Sequence, residues 1–480
     1  MKKIILILLI LSMVSAAACA DNEPTANNSA GGTQANTDTQ HGEPAGPERT
    51  YYDELGERDF EGDTFTVLDA NYNPDLWANT PEELTGEPVN DALITRNRFI
   101  EDKYNINIKY IQIAGYNTGT QSLRNSVAAG ENLYDMVIST ILGGNLDTLS
   151  QSSVLYNLAS MPYLSLESPW WSSLIYNNMI FNGRLFYTAG DIVPSMYQAP
   201  AAMFVNRKLM QDYGIQENLY DLVFAGQWTI DVLEKLTKDM DTDLNQDGNL
   251  TGEEDFFGLI NEHNVLSSNA LTTAMGVKLS TVRENNIFIE LNLPASIERI
   301  ERLADFMRTI PHQSHINSIF AESRALFYAH YLESALLYLR GMEDDYGILP
   351  MPKYNEQQES YYSFLNAWNS SFIGVPLHAN TDKAGFIMEA LAYASYETVR
   401  PSIYEIALKT KVTRDSESAQ AIDIIIESSY MDLNGIYNLG NSTEIVRRAI
   451  FEKAPLVSAY EAAEGSIQTA IERFIETMSE

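Results

Sequence analysis

The sequence predicts an α/β protein built on mostly parallel sheets, and three observations carry that prediction. Strand-like runs, DTFTVLDAN (63–71), NIKYIQI (107–113) and YDMVIST (134–140), alternate with helical patterns, VNDALITRNRFIEDKYNI (89–106) and TQSLRNSVAAG (120–130). Strand, helix, strand, helix, strand is the order of a parallel sheet whose crossovers are helices. The run YDMVIST is mainly apolar, as a strand covered on both faces must be. About 420 residues follow the polar N-terminal region, enough for two domains of ordinary size.

Each element has its own local reason. In 89–106, Val89, Leu93, Ile100 and Tyr104 recur at helical spacing with charges between them. The helix 120–130 is stopped by Gly130. FNGRLFYTAG (181–190) reads as a hairpin. AAMFVNRKLMQDYGI (201–215) reads as a strand leading into a helix. WTIDVLEKLTKDM (228–240) is a helix with Thr229 as N-cap, and SIERIERLADFMRTI (296–310) is an amphipathic helix. DYGILPMPKYN (345–355) is a strand ended by prolines, and the last hundred residues are mainly helical in pattern. No repeat of fixed period is present.

The N-terminus is an export signal. In MKKIILILLILSMVSAAAC two lysines precede an apolar run too short to span a membrane, which needs ~20 apolar residues. Ala16-Ala17-Ala18-Cys19 resembles a bacterial lipobox, with Ala16 where Leu is usual; the resemblance implies cleavage before Cys19 and its diacylation. Plain secretion from an ordinary cleavage site is the alternative. Cys19 is the only cysteine of 480 residues, so no disulfide framework competes for it. Residues 20–49 are small and polar, cannot bury enough surface to fold, and read as a tether.

Composition excludes some partners. With 65 acidic against 31 basic residues the net charge is −34, which opposes nucleic acid and anionic lipid and suits neutral or cationic ligands. Six histidines show no metal-ligand spacing such as HExxH. No GxSxG or Ser-x-x-Lys nucleophile motif is present.

DLNQDGNLTGEE (243–254) has the spacing of a twelve-residue calcium loop. Asp243, Asn245 and Asp247 fill positions 1, 3 and 5. Gly248 is at the sharp turn, Asn249 offers a carbonyl, Thr251 is at position 9 and Glu254 closes the shell. An acidic surface turn that binds nothing is the alternative. Only one such loop is present, between a helix and the strand-like DFFGLI, so bound Ca²⁺ would be a structural staple rather than a sensor.

In this order the stretches RNRFIEDKYNINIKY, AGENLYDMVIST, FNGRLFYTAG, MFVNRKLMQDYGI, Gln227-Trp228-Thr229 and YGILPMPKY resemble the extracellular solute-binding proteins of ABC importers, family 1, the maltose-binding-protein-like group. The resemblance runs from about residue 60 to the C-terminus. It implies the type II periplasmic-binding-protein-like fold, two α/β lobes with a hinge between them, and no catalysis. It implies a monomer that captures a carbohydrate and passes it to ABC transporter permease subunits from the outer face of the cell membrane. The division is then a signal peptide at 1–18, lipidated Cys19 and tether at 19–56, a first lobe of 57–197 plus 345–405, and a second lobe of 198–344 plus 406–480.

A sugar site needs aromatic platforms with planar donors and acceptors around them. Candidates lie in loops after strands: Tyr72 and Trp77, Tyr116, and Thr140. Further candidates implied by the family's contact positions are Tyr197 and Gln198 at the first crossover, and Asn261 and His263 in the run Asn261-Glu262-His263-Asn264. Tyr331, beside His330, and Trp368 in FLNAWNSSFIGVP complete the set. Trp170, Trp171 and Trp228 read as packing residues. Three other functions remain open: a secreted glycoside-acting enzyme using two carboxylates, a calcium-dependent adhesin, and a binder of a non-sugar solute such as a peptide.

Overall fold

The computed structural model describes residues 50–71, 81, 83–115, 117–143, 145–252, 254–311, 313, 316–404 and 416–479. Cys19, the tether before residue 50, and the loop residues Tyr72, Trp77 and Tyr116 lie outside them. Thr50–Glu480 forms one compact unit. No helix among the described residues is long and apolar enough to cross a membrane.

Two four-stranded sheets organise that unit. The first contains β1 (Asp63–Asp69), β2 (Ile106–Gln112) and β3 (Met136–Thr140), with the helices Pro88–Tyr104 and Thr118–Ala128 as crossovers. β1 runs parallel to β2, with Asp63 opposite Ile106, and parallel to β3, with Val67 opposite Met136. Phe65, Val67 and Leu68 are buried, as a strand covered on both faces requires. The second sheet contains β4 (Ala201–Asn206), β5 (Phe257–Asn261), β6 (Ala325–Tyr331) and β7 (Tyr346–Leu349). β8 (Ser371–Gly374) returns to the first sheet, antiparallel to β3.

The first sheet is mostly parallel, whereas the second is mixed. β5 and β6 are parallel, but β4 runs antiparallel to both β6 and β7. β4 and β8 are the first strands after the chain changes lobe, and each enters its new sheet against the direction of its neighbour. β7 pairs with β4, so 346–349 belongs to the second lobe; the return to the first lobe falls after Leu349, not at residue 345. The boundary at 405/406 lies outside the described residues.

The two crossovers lie side by side. Pro200 bridges Leu365, and Asn366 N–H donates to the Ala199 carbonyl at 2.9 Å. Such a pair of adjacent connections is where a two-lobe molecule bends.

Local readings hold with two changes of detail. Residues 181–190 make only a tight turn, Phe181 and Arg184 exchanging hydrogen bonds of 3.0 and 2.9 Å, before joining other segments as isolated bridges. Thr229 precedes the helix Ile230–Thr237 but its side chain makes no cap hydrogen bond. Trp228 is fully buried, donating Nε1–H to the Pro350 carbonyl at 2.9 Å, and Trp170 and Trp171 are buried too.

Candidate functional site

A cleft of about 650 Å³ opens at the ends of the strands. Its walls come from both lobes and from the crossover. The second lobe supplies Glu262, Asn264, His330 and Tyr331, directly after β5 and at the end of β6. The first lobe supplies Leu142, just past β3, and the crossover supplies Asn366, Trp368 and Asn369. Strand ends in open α/β sheets are where ligands bind, because loops there converge on one crevice.

Each side chain has a support. Asn366 is buried, and its Oδ1 accepts from the Trp368 and Asn369 backbone N–H groups at 3.0 and 3.3 Å. That turn leaves Trp368 37 % exposed, a large flat ring open to a solute. Leu142 N–H donates to the Ala367 carbonyl at 3.2 Å, tying the first lobe to the same turn. Asp432 holds the opposite wall: its carboxylate accepts from Gly435 N–H at 2.9 Å, from Leu279 and Ser280 N–H, and from the Tyr430 hydroxyl at 2.7 Å. Gly435 is required there, since a Cβ would come within 2.9 Å of the Phe364 ring.

The electrostatics centre on Glu262, His330 and Glu333. His330 Nδ1 meets Ser334 Oγ at 2.6 Å and its Nε2 faces Glu262 Oε1 at 3.9 Å. His330 holds the Glu262 carboxyl below the usual carboxylate range. Glu333 is 1 % exposed, behind Asn369, whose Nδ2–H donates to its Oε1 at 2.8 Å. Burial pushes the Glu333 carboxyl up to about 7.

The sequence-derived candidates divide into three groups. Tyr331 and Trp368 line the cleft, as do Glu262, Asn264 and His330 from the runs singled out beside them. Asn261 and Thr140 are buried at strand ends: Asn261 Nδ2–H donates to the Glu262 carbonyl at 2.8 Å, bracing the wall from behind, and Thr140 pairs with Ser371. Tyr197, Gln198 and His263 do other work, and none of them is in the wall. Tyr197 is buried and gives its hydroxyl hydrogen to Asp191. The Gln198 carbonyl accepts from Glu333 N–H at 2.9 Å, so that residue is part of the crossover. The His263 ring stacks on Phe451 at 4.3 Å, turned toward the helix Ser442–Glu452.

Glu333, Tyr338, Asn317, Asn366, Asn369 and Gly435–Asn438 complete the region and were missed. NAWNSS carried the one usable signal, two Asn flanking an exposed Trp. The Gly435 wall comes from a helical region with no distinguishing pattern.

In the calcium-like loop, Gly248 turns with φ +87°. Asp243 Oδ2 accepts from Gly248 N–H at 2.8 Å, Asn245 Oδ1 from Asp247 N–H at 2.9 Å, and Asn245 Nδ2–H meets Glu254 across the loop. The oxygen-rich side chains at positions 1, 3, 5 and 12 and the left-handed Gly fit a hard cation. Among the described residues no three Asp, Glu, His or Cys side chains are already gathered as a metal cluster.

The two-lobe fold is similar to that of two solved structures. The structure of a cyclo/maltodextrin-binding protein complexed with maltotetraose matches with a TM-score of 0.55 at 12 % identity, covering 88 % of this chain and 98 % of that one. The maltose-maltodextrin binding protein of the thermoacidophilic bacterium Alicyclobacillus acidocaldarius matches with a TM-score of 0.52 at 13 % identity, covering 84 % of this chain and 100 % of that one. No protein-family model and no curated protein sequence matches the chain.

Proposed function

We propose that this protein is an extracellular, lipid-anchored solute-binding protein that captures a mono- or oligosaccharide between its lobes and delivers it, without turnover, to an ABC importer. The observation that carries the reading is the interlobe cleft of about 650 Å³ with Trp368, Tyr331 and Tyr338 among Asn and Glu side chains. Aromatic rings match the CH faces of sugars, and planar amides and carboxylates match the hydroxyls around them. The likeness in fold to proteins described as binding maltodextrins supports the same reading. The signal-like N-terminus with Cys19 supports the anchor, and Cys19→Ser is expected to release the protein from the membrane fraction. A thermal-shift screen of the full-length protein against mono- and oligosaccharides tests the central reading. A concentration-dependent rise with one sugar, recovered intact after incubation, is expected. Shortened products would make the protein a glycoside-acting enzyme; a rise with peptides alone would move the solute class.

The loop 243–254 is assigned to Ca²⁺ on the same footing. Asp243, Asn245, Asp247, Thr251 and Glu254 would hold the ion by side chains and Asn249 by its carbonyl. The ion would pin the link between the helix Ile230–Thr237 and β5. Binding to the native state alone raises stability by mass action.

A further inference from the structure

Among the polar groups in and behind the cleft wall are several acceptors. Glu262 lines it with its side chain 42 % exposed; Asn264 Nδ2–H donates to its Oε2 at 2.6 Å, and His330 Nε2 lies 3.9 Å from its Oε1. Behind Asn369, the buried Oε2 of Glu333 has no hydrogen-bond partner among the described residues. The buried Oδ1 of Asn261, beside Glu262, has none either. The Tyr331 hydroxyl, in the wall itself, is likewise buried and unpartnered. No Lys or Arg is present among the described lining residues.

When lobes close on a solute, water leaves, and a charge kept inside must find an opposite partner or pay heavily in lost solvation. The described wall holds no Lys or Arg, and His330 is the one basic neighbour of Glu262 in it, so a cationic solute would add a second partner. An ammonium group brings three donors, which the Glu262 carboxylate and the Tyr331 hydroxyl oxygen can accept. The rings of Trp368, Tyr338 and Tyr331 attract a cation through their faces. A carboxylate-bearing sugar would set like charge against Glu262.

We infer that the cleft selects a sugar bearing an ammonium group over its neutral and acidic counterparts, with Glu262 as the ammonium's direct partner. This rests on the carbohydrate reading above. Titration calorimetry on the full-length protein tests it, using glucose, glucosamine, N-acetylglucosamine and glucuronate, each as monosaccharide and as α- and β-linked disaccharide, with putrescine as an amine that is not a sugar. The amine sugar is expected to bind about tenfold or more tighter than its neutral parent. Glu262→Gln is expected to erase that ratio, and Glu262→Asp to keep part of it. A neutral or acidic sugar that binds as tightly as the amine overturns the inference and leaves the carbohydrate reading standing. Binding of putrescine and no sugar overturns the carbohydrate reading while keeping Glu262 as an ammonium partner. Binding of none of these overturns both.

Discussion

Glu333 stores a proton that its surroundings make hard to lose. Its carboxyl is 1 % exposed, and burial pushes its titration from the ordinary 4.5 up to about 7 against the opposing pull of His330 and Asn369. Glu262 adds to the rise. Between these two values the native state binds more protons than the unfolded chain, so this contribution to stability is full below about pH 4.5 and is lost as pH rises through about 7. The total is on the order of 3 kcal/mol. Glu333→Gln mimics the protonated form. Denaturant unfolding at pH 5 and pH 8 is expected to show the variant gaining on wild type by about 2–3 kcal/mol over that interval. A difference that does not change with pH would contradict the assignment. At Trp368 the expectation is opposite in kind. Trp368→Ala is expected to weaken sugar binding about tenfold or more, read by calorimetry, at a smaller cost to the melting temperature than loss of a fully buried ring such as Trp228. Trp368 was legible because an aromatic flanked by Asn in a polar loop stands out as a candidate platform. Tyr197 was misread for the converse reason: nothing in its neighbourhood announces that Asp191, six residues earlier, takes its hydroxyl into the interior.

At the scale of elements, two connections fix how pieces meet. Glu389, fully buried on the helix Thr381–Arg400, accepts hydrogen bonds from Trp170 Nε1 at 3.0 Å, Trp171 Nε1 at 2.8 Å and the Tyr51 hydroxyl at 2.8 Å. Ser165 N–H adds a fourth at 3.2 Å. One carboxylate thereby joins the short helix Tyr51–Leu55, the Trp170 segment and the helix that covers the first sheet. Glu389→Ala strands these donors inside the lobe, and a loss of about 3–5 kcal/mol in denaturant unfolding is expected. A loss under 1 kcal/mol would show that water replaces the carboxylate. The calcium-like loop makes the second connection. Adding Ca²⁺ to metal-stripped protein is expected to raise the melting temperature, and Glu254→Ala to abolish the rise while sugar binding persists. An unchanged melting temperature in the wild type would remove the metal assignment. Elements of this kind were readable where periodicity is local: the helix Pro88–Tyr104 and the strands β1 to β3 lie within a residue or two of their patterns. The membership of β7 was not, because Tyr346–Leu349 is equally apolar whichever sheet receives it; only its pairing with β4 decides.

Across the whole molecule, element order gave an α/β sheet and the family resemblance implied two lobes, and the cleft lies where their strand ends meet. What the order of elements does not encode is which loops meet over the gap. Leu142, Asn369 and Asn438 lie 227 and 69 residues apart in sequence, and they line one cleft because β8 returns beside β3 and the Asp432 network holds the 435–438 segment. The adjacent crossovers at Pro200 and Leu365 offer such a molecule a bending axis, and under the proposed function a solute seated between Trp368 of the crossover and Glu262 of the second lobe would draw the lobes together. Small-angle scattering of the full-length protein, with and without a saturating concentration of the sugar that raises its melting temperature most, tests this most directly. A smaller radius of gyration with sugar bound, absent in Trp368→Ala, is the predicted result. An unchanged radius at saturation would contradict capture by closure between the lobes.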